Sequence, residues 1–155
     1  NHPNMTITLS PFTPADQPAV KAIVLAGLAD HWGALDPAKN PDLNDIAATY
    51  KDACFLVAKQ EGEVVGCGAL VPRSTDTAEV VRMSVAAAAR RQGLGRRILN
   101  ALCAEAKARG FRRVILETTQ TWSEVIAFDQ SFGFRITHYK DGDVYFELLL
   151  DKETK

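Results

Sequence analysis

The chain has 155 residues, of which 46% are hydrophobic and 24% are charged, the proportions of an ordinary globular domain. Its formal net charge of −1 argues against general nucleic-acid binding, and no apolar run approaches the length of a membrane span. Three cysteines without metal-ligand spacing predict free thiols in a reducing, cytoplasmic compartment. Composition therefore predicts a cytoplasmic domain with no nucleic-acid, membrane or metal partner.

The first elements along the chain are a strand and a helix. Residues 1–4 precede Met5 and are expected to be a cloning remnant or a disordered end, so a single domain is predicted over residues 5–150. Met5–Ser10 alternates apolar and polar residues and predicts a strand. A cap at Thr13 followed by proline at the first helical position predicts a helix that runs to about Asp30.

A loop, a second helix and a hairpin follow. Prolines and a glycine make residues 31–41 a loop. The segment from Pro41 to about Lys51 is predicted to be helical, with Ala47 among its inward residues. Cys54–Lys59 and Val64–Val71 are apolar runs joined by a Glu-Gly turn, which predicts two strands in a hairpin.

The stretch from Glu79 to Leu99 predicts a strand, an arginine-rich loop and a helix. Apolar, mostly β-branched residues form the strand, which ends near Val85, and the chain becomes helical at Gly93. The apolar spacing of this helix predicts one buried face, formed by Leu94, Ile98, Leu99, Leu102, Cys103 and Ala106. Gly110 follows a cation and predicts the end of the helix.

The remaining elements complete a mixed α/β pattern. Val114–Thr118 predicts a strand, and Ser123 to about Phe132 predicts a helix that Gly133 ends. Arg135–Lys140 and Val144–Leu150 predict two strands joined by an Asp-Gly turn. The chain therefore has seven predicted strands and four predicted helices, in the order β-α-α-β-β-β-α-β-α-β-β.

The start of the long helix has the chemistry of an anion site. The first amides of a helix lack partners within the helix, and the helix dipole adds partial positive charge there. Gly93 and Gly95 let a bulky anion approach the backbone, and four arginines between residues 90 and 97 add formal charge. This pattern predicts a phosphate or pyrophosphate site. The alternative is a solvated basic helix start.

The loop from Arg90 to Gly95, Arg-Arg-Gln-Gly-Leu-Gly, resembles a loop of the GNAT superfamily of acyl-CoA N-acyltransferases. That superfamily holds the coenzyme A pyrophosphate with an Arg/Gln-x-x-Gly-x-Gly/Ala loop. The Met-Ser-Val strand end before the loop and the amphipathic helix and Val-Ile-Leu-Glu-Thr strand after it are similar too. Val125–Phe134 resembles the family's Ala-x-x-(Leu/Phe)-Tyr-x-x-x-Gly-Phe segment. The resemblance covers about residues 5–150, with its specific motifs between residues 79 and 134.

The resemblance implies an α/β fold with a mostly antiparallel seven-stranded sheet flanked by four helices. Its central strands, which carry Met83 and Leu116 here, would run parallel and splay apart at their C-terminal ends. Splaying leaves backbone groups available to the amides of a pantetheine arm. The implied co-substrate is acetyl-CoA, and the implied reaction is direct attack by a primary amine on the thioester in a ternary complex.

The resemblance also implies which residues bind and react. The implied coenzyme A site consists of Met83, Val85, Arg90, Arg91, Gln92, Gly93, Gly95 and Arg96. The backbone N–H of Val85 would stabilise the charge that develops on the thioester oxygen. Glu79 lies six residues before Val85, where family members place a catalytic glutamate, and would take the proton of the amine.

Glu79 also has a structural interpretation, as an exposed glutamate paired with Arg82 or Arg73. Glu117, on the neighbouring strand, is the second carboxylate candidate. A carboxylate serves as a base near neutral pH only if burial raises its pKa.

The acid that would protonate the leaving thiolate is not evident. Asp129 occupies the position of the family's tyrosine, and an ionised aspartate would repel a forming thiolate. Asp129 is expected to be ionised. The thiolate would then leave unassisted, through water, or with a hydroxyl from Ser123, Tyr139 or Tyr145.

The acceptor side is expected to involve residues from both halves of the chain: His31, Trp32, Glu117 and Tyr139. Trp32 has an alternative as a core residue at a helix end, and His31 as a surface histidine. The predicted acceptor is a small-molecule or amino-acid-like amine. The alternatives are an amine of a peptide or protein, or a non-catalytic acyl-CoA sensor. Look-alikes commonly dimerise through their last strands, so a homodimer is possible.

Overall fold

The computed structural model of the chain describes residues 6–32 and 39–150. Seven strands lie in these residues: β1 (Ile7–Pro11), β2 (Cys54–Gln60), β3 (Glu63–Pro72), β4 (Thr77–Val85), β5 (Arg113–Thr119), β6 (Arg135–Lys140) and β7 (Asp143–Leu149). Four α-helices accompany them: α1 (Gln17–Trp32), α2 (Ile46–Thr49), α3 (Leu94–Ala108) and α4 (Ser123–Phe132). The predicted order of elements is confirmed.

The strands form one sheet in the order β1-β2-β3-β4-β5-β7-β6. Only β4 and β5 pair in parallel; the other neighbours are antiparallel. Both predicted hairpin turns are present, and Glu61 and Gly62, like Asp141 and Gly142, have positive φ angles. Such turns match the twist of the flanking strands. The predicted mixed sheet with a central parallel pair is confirmed.

Helix α3 packs against one face of the sheet. Every residue predicted for its buried face is buried in the structure. These side chains join the main core with residues of the central strands, among them Val80, Leu116 and Phe146. Helix α4 lies on the same side and adds Ile126 and Phe128 to the edge of this core. Gly110 and Gly133 follow the two helices with positive φ angles, as the predicted helix ends require.

Helices α1 and α2 lie on the opposite face, where α1 packs over β3 and β4 and Ile46 of α2 joins a second core cluster. The side-chain amide of Gln17 holds them together: its Nε2 donates to the Leu43 carbonyl, and its Oε1 accepts from the Ile46 N–H. The predicted helix from Pro41 to Lys51 is wrong in its extent. A 3₁₀ turn covers Pro41–Asn44, and α2 then begins after Asp45, whose carboxylate accepts the Ala48 N–H.

The break in this helix has a local cause. Asp45 adopts a non-helical backbone conformation, and capping residues of this type compete with helix continuation. As a result Ala47, which was predicted to face inward, is exposed. The same face of the sheet is open over β5 and β6, where Glu117 and Arg135 are exposed. Among the described residues, no helix has the length and apolar character needed to cross a membrane.

Candidate active site

Strands β4 and β5 diverge after three paired residues. The pairs are Thr77 with Arg113, Ala78 with Val114, and Glu79 with Ile115. Beyond them, β4 continues to Val85 and β5 to Thr119 without pairing to each other. The central splayed pair implied by the sequence is therefore confirmed. Its unpaired backbone groups line a cleft at the C-terminal ends of the two strands.

A β-bulge in β4 accompanies this divergence. The register of β4 on β3 shifts opposite Gly68, where Arg82 takes a positive φ of 55°. Bulges increase local twist and bend the strand that contains them. A side chain at position 68 would obstruct this arrangement, because a Cβ there would lie 2.8 Å from the Met83 sulfur and 2.9 Å from Ile98 Cγ2.

The side chain of Arg82 ties the bulge to the segment before α2. Its Nε lies 2.9 Å from Asp42 Oδ2 and its Nη2 lies 2.7 Å from Asp42 Oδ1, a bidentate ion pair. Arg82 Nη2 also donates to Asn40 Oδ1, and the Tyr50 hydroxyl donates to Asp42 at 2.6 Å. The sequence predicts Arg82 only as a possible partner of Glu79, but in the structure Glu79 pairs with Arg73 and Arg82 pairs with Asp42.

Replacing Asp42 with asparagine is expected to lower the free energy of unfolding by about 2 kcal/mol, because the half-buried Arg82 guanidinium loses its charged partner. Burial alone would raise the pKa of Asp42, but hydrogen bonds from Arg82 and Tyr50 hold it below its ordinary value. The stability that this pair supplies is present above the pKa of an unfolded aspartate. It is lost as the pH falls through the lower, folded-state pKa.

Urea unfolding at neutral and acidic pH tests this prediction. The wild type should lose stability toward acidic pH more steeply than Asp42→Asn. Asp45→Asn is a suitable control, because Asp45 is exposed and its capping role survives in asparagine. Equal stability of wild type and Asp42→Asn at neutral pH would contradict the prediction.

The loop after β4 leads directly to the start of α3. Gly93, the residue before the helix, has a left-handed φ of 76°, which glycine adopts without steric cost. It offers no side chain to cap the first helix amides. Gly95 lies in the first turn, where an added Cβ would approach Phe128 Cζ at 3.7 Å and Val85 Cγ2 at 4.0 Å. The start of α3 thus lies beside the end of β4.

Two of the predicted coenzyme A residues brace this loop against the rest of the protein. Arg90 donates to the Val85 carbonyl at 3.0 Å and forms an ion pair with Asp30 of α1 at 3.0 Å. Arg96 donates to the Ser131 hydroxyl of α4 at 3.2 Å, and its guanidinium lies 5.4 Å from the centre of the Phe132 ring. The side chains of Arg90 and Arg96 therefore fix the loop between α1, β4 and α4.

The other predicted residues of the loop and strand occupy the same region. Arg91 and Gln92 are exposed, and Gln92 Nε2 donates to the Ala88 carbonyl at 3.4 Å. Met83 packs at the edge of the main core, and Val85 is the last residue of β4, paired with Gly66. The structure thus brings all eight predicted coenzyme A residues to the cleft end of β4 and the start of α3.

The two predicted carboxylates are those of Glu79 on β4 and Glu117 on β5. They lie on the face of the sheet opposite to α3, because their strand neighbours Val80 and Leu116 point into the core under α3. Glu79 forms an ion pair with Arg73 at 2.7 Å, the structural partner that the sequence analysis had weighed. Glu117 lies two residues beyond the last β4–β5 pair, at the side of the cleft. Burial, followed by the charges of Glu79 and Asp143, raises the pKa of the Glu117 carboxyl. The surroundings of Glu117 therefore favour its protonated form more than those of a free glutamate do.

Tyr145 completes this group and was placed only among the hydroxyl alternatives by the sequence. It pairs with Glu117 across β5 and β7, and its ring stacks on His138 with centroids 4.4 Å apart. Tyr139, the predicted acceptor residue, pairs with Val144 of the main core and is 59% exposed on the other face of the sheet. The structure therefore favours Tyr145 as the tyrosine beside the carboxylates.

The predicted acceptor residues of the N-terminal half are His31 and Trp32, the last two residues of α1. Their side chains and the following residues 33–38 lie outside the described part of the chain.

Asp129 is expected from the sequence to be ionised, but its surroundings in the structure oppose ionisation. Asp129 lies on α4 and is only 5% exposed. Burial raises the pKa of its carboxyl to about 7, so a large fraction is protonated at neutral pH. The sequence did not reveal this burial, because a single aspartate in a short helix is usually exposed.

This fold and this cleft are those of a family of acyl-group transferases. The family model described as Acetyltransferase (GNAT) family matches residues 24–134. The chain belongs to that family, and the predicted class of enzyme, an acetyl-CoA-dependent acyltransferase, is confirmed.

Individual relatives agree with this assignment. The chain is 36% identical over 136 residues to an IAA acetyltransferase of Azospirillum brasilense, an alignment that covers 85% of each chain. A GNAT-family acetyltransferase of Staphylococcus aureus superimposes with a TM-score of 0.84 at 18% identity, covering 94% of this chain and all of the other. The protein yncA of Salmonella typhimurium, solved with its cofactor acetyl-CoA, gives a TM-score of 0.77 at 24% identity and 97% coverage of both chains.

Proposed function

We propose that the protein transfers an acetyl group from acetyl-CoA to a primary amine of a small molecule, by direct attack in a ternary complex. One observation carries this proposal: the β4–β5 cleft has the start of α3 at its mouth and the carboxylates of Glu79 and Glu117 on its open face. A thioester held from one side and an amine held from the other would meet in this cleft.

The residues of the loop and of β4 would hold the donor. The first amides of α3, with the nearby arginines, suit the pyrophosphate of coenzyme A. Gly93 and Gly95 keep the backbone accessible, and the exposed Arg91 and Gln92 flank it. The unpaired part of β4 around Met83 would pair with the pantetheine amides, and the Val85 N–H would stabilise the charge that develops on the thioester oxygen.

The open face would bind the acceptor. Partial desolvation, followed by the charges of nearby carboxylates, raises the pKa of Tyr145; the carboxylates are those of Glu117, Asp143, Asp141 and Glu79. Such a surface attracts a cationic amine. Glu117, which has the raised carboxyl pKa, and Glu79 beside it would take the proton that the amine must lose before it attacks.

One observation favours a peptide or protein amine as the second candidate acceptor. The face that carries Glu117 continues across β7 to β6, where Thr137 and His138 are exposed. An open surface of this kind accommodates an extended chain, whereas a small amine needs only the cleft.

A cytoplasmic location is part of the proposal and rests on the three free cysteines.

A thiol-release assay with acetyl-CoA tests the proposal. The acceptor panel contains small amines, polyamines, amino acids, short peptides with free N-termini or lysines, and IAA, the compound named in the relative's description. Release with small amines would support the proposal, and release with peptides alone would favour the second candidate. Thermal stabilisation by acetyl-CoA without release in any mixture would indicate a sensor and overturn the proposed activity.

A further inference from the structure

Arg82 has the most unusual backbone conformation within the sheet. Four described residues other than glycine have positive φ angles: Glu61, Arg82, Arg91 and Asp141. Glu61 and Asp141 lie in the two hairpin turns and Arg91 lies in the loop before α3, whereas Arg82 lies inside β4. This conformation is sterically unfavourable for a residue with a side chain, and it persists only where the surrounding structure holds it. Such an outlier beside a substrate cleft is a candidate for a functional role.

The bulge at Arg82 determines which way the last residues of β4 face. Arg82 and Met83 together lie opposite a single residue of β3, Gly68. Side chains of a regular strand alternate between the two faces of the sheet, so one inserted residue reverses the alternation beyond it. Val80 before the bulge and Met83 and Val85 after it all pack toward the core under α3. Without the inserted residue, Met83 and Val85 would face the opposite side of the sheet.

Two kinds of contact hold Arg82 in this conformation. Its guanidinium forms the bidentate ion pair with Asp42, at 2.9 Å and 2.7 Å, and both side chains are 21% exposed. The Asp42 carboxylate also accepts a hydrogen bond from the Tyr50 hydroxyl at 2.6 Å, which fixes its orientation. On the backbone, the Arg82 carbonyl accepts a hydrogen bond from the buried Cys67 thiol at 3.3 Å. A bidentate ion pair fixes direction as well as distance, so the pair with Asp42 is the stronger constraint.

The ion pair connects β4 with the segment before α2. Asp42 lies in the 3₁₀ turn Pro41–Asn44, and Leu43 of this turn packs in the same core cluster as Val81 of β4. Val81 lies two residues after Glu79, so the two side chains face the same side of the sheet. The turn therefore covers β4 beside the face that carries the acceptor carboxylates, and the ion pair ties that turn to the bulge.

We propose that Arg82 is a positioning residue for acetyl transfer. Its ion pair with Asp42 holds the bulge of β4, and the bulge directs the backbone of Met83 and Val85 toward the acetyl-CoA site. When the pair is absent, residue 82 is free to leave the strained conformation, and the end of β4 loses its fixed register. Acetyl-CoA then meets a strand whose unpaired groups are wrongly directed. The inference rests on the proposed role of Met83 and Val85 in binding acetyl-CoA, and it does not depend on the acceptor.

Isothermal titration of acetyl-CoA into the wild type, Arg82→Ala and Arg82→Gly tests this role. Both variants lack the guanidinium and leave Asp42 equally unpaired, but glycine adopts positive φ angles without steric cost and alanine does not. We expect Arg82→Ala to bind acetyl-CoA about tenfold more weakly than the wild type, and Arg82→Gly to stay within about threefold of it. An ion pair that only stabilised the fold would give two variants of equal affinity.

Asp42→Asn provides a second comparison, with Arg82 in place. Its affinity for acetyl-CoA should fall, and adding Arg82→Gly should restore the affinity, because the double variant has no strained residue to hold. An affinity of Asp42→Asn equal to that of the wild type, or equal losses in Arg82→Ala and Arg82→Gly, would overturn the proposal.

Asp16→Asn is the matched control for loss of stability. Asp16 is a buried carboxylate whose cationic partner at 2.9 Å is Lys59 of β2, a strand that is not adjacent to β4. This variant should unfold at a lower urea concentration than the wild type and still bind acetyl-CoA with unchanged affinity. A loss of affinity equal to that of Arg82→Ala would show that lost stability explains the effect, and it would also overturn the proposal.

The binding experiment separates this inference from the proposed function. Acetyl-CoA binds without an acceptor, so the affinities of the variants decide the role of Arg82 even if no amine is acetylated and the proposed function fails. Where an amine is acetylated, Arg82→Ala should raise KM for acetyl-CoA and also lower kcat, because the Val85 N–H no longer meets the thioester oxygen. A lower kcat with an unchanged KM for acetyl-CoA would contradict the proposal.

Discussion

Replacing Glu79 with glutamine is expected to lower kcat/KM for an amine acceptor by about 100-fold, the usual contribution of a positioned general base. Glu79 is the last residue of β4 that pairs with β5, at the base of the cleft, and its charge helps raise the pKa of Glu117. Removing that charge therefore weakens the second carboxylate as a base as well. We expect Glu117→Gln to have a comparable effect, and the double variant to be little slower than either single variant.

The ion pair between Glu79 and Arg73 provides a matched control. If Glu79 serves only to hold Arg73, then Arg73→Gln should reduce the rate as much as Glu79→Gln does. If Glu79 takes part in proton transfer, Arg73→Gln should keep most of the activity. Arg73 is half exposed, so the loss of this pair costs little stability, and both variants should remain folded. Steady-state thiol release by the wild type, Glu79→Gln and Arg73→Gln decides between the two roles, and a Glu79→Gln rate within twofold of wild type would contradict the prediction.

The elements that sequence reasoning predicted correctly depend on local patterns. The buried face of α3 follows from the spacing between Leu94 and Ala106, and the two hairpins follow from the Glu-Gly and Asp-Gly turns, whose residues have positive φ angles in the structure. The ends of α3 and α4 follow from Gly110 and Gly133 in the same way. In each case the residues that determine the structure lie within a few positions of one another.

The features that were missed depend on residues far apart in the chain. Arg82 and Asp42 are 40 positions apart, and only the folded chain brings them together at the bulge. The alternatives for Glu79 also stayed open in the sequence, because both Arg73 and Arg82 are near it along the strand. The structure assigns Arg73 to Glu79 and Arg82 to Asp42.

The environment of Asp129 could not be predicted for a related reason. The charge state of a carboxyl depends on burial and on the groups around it, which a short helical pattern does not specify. Its neighbours Phe128 and Phe132 indicate an apolar helix face, but residue type alone favours an exposed aspartate. The same limit applies to Glu117, whose raised pKa arises from burial and from Glu79 and Asp143 on adjacent strands.

Replacing Asp129 with asparagine is expected to change how the free energy of unfolding depends on pH. Burial raises the pKa of Asp129 from 3.8 to about 7 in the folded protein. Between these two values the folded protein binds a proton that the unfolded chain has lost. The free energy of unfolding of the wild type therefore falls as the pH rises, by up to about 1.4 kcal/mol per pH unit from this group alone.

Above the folded-state pKa both states are ionised, and the contribution of Asp129 becomes constant. Asparagine does not titrate, so Asp129→Asn should lack this loss of stability. We expect the variant to gain about 4 kcal/mol relative to the wild type between pH ~4 and pH ~8. Other carboxylates, such as Asp42 and Glu147, have lowered pKa values, and the stability that they supply is lost at acidic pH. This loss is the same in the wild type and in Asp129→Asn, so it cancels in the difference between them.

Urea unfolding of the two proteins at a series of pH values measures this difference directly. The expected result is a stability difference that changes in favour of the variant as the pH rises and levels off above about pH 7. A difference that does not change with pH would mean that Asp129 has an ordinary pKa in the folded protein, and it would contradict the prediction. Because burial is the cause of the raised pKa, the size of the change with pH measures how strongly the surroundings of Asp129 oppose its ionisation.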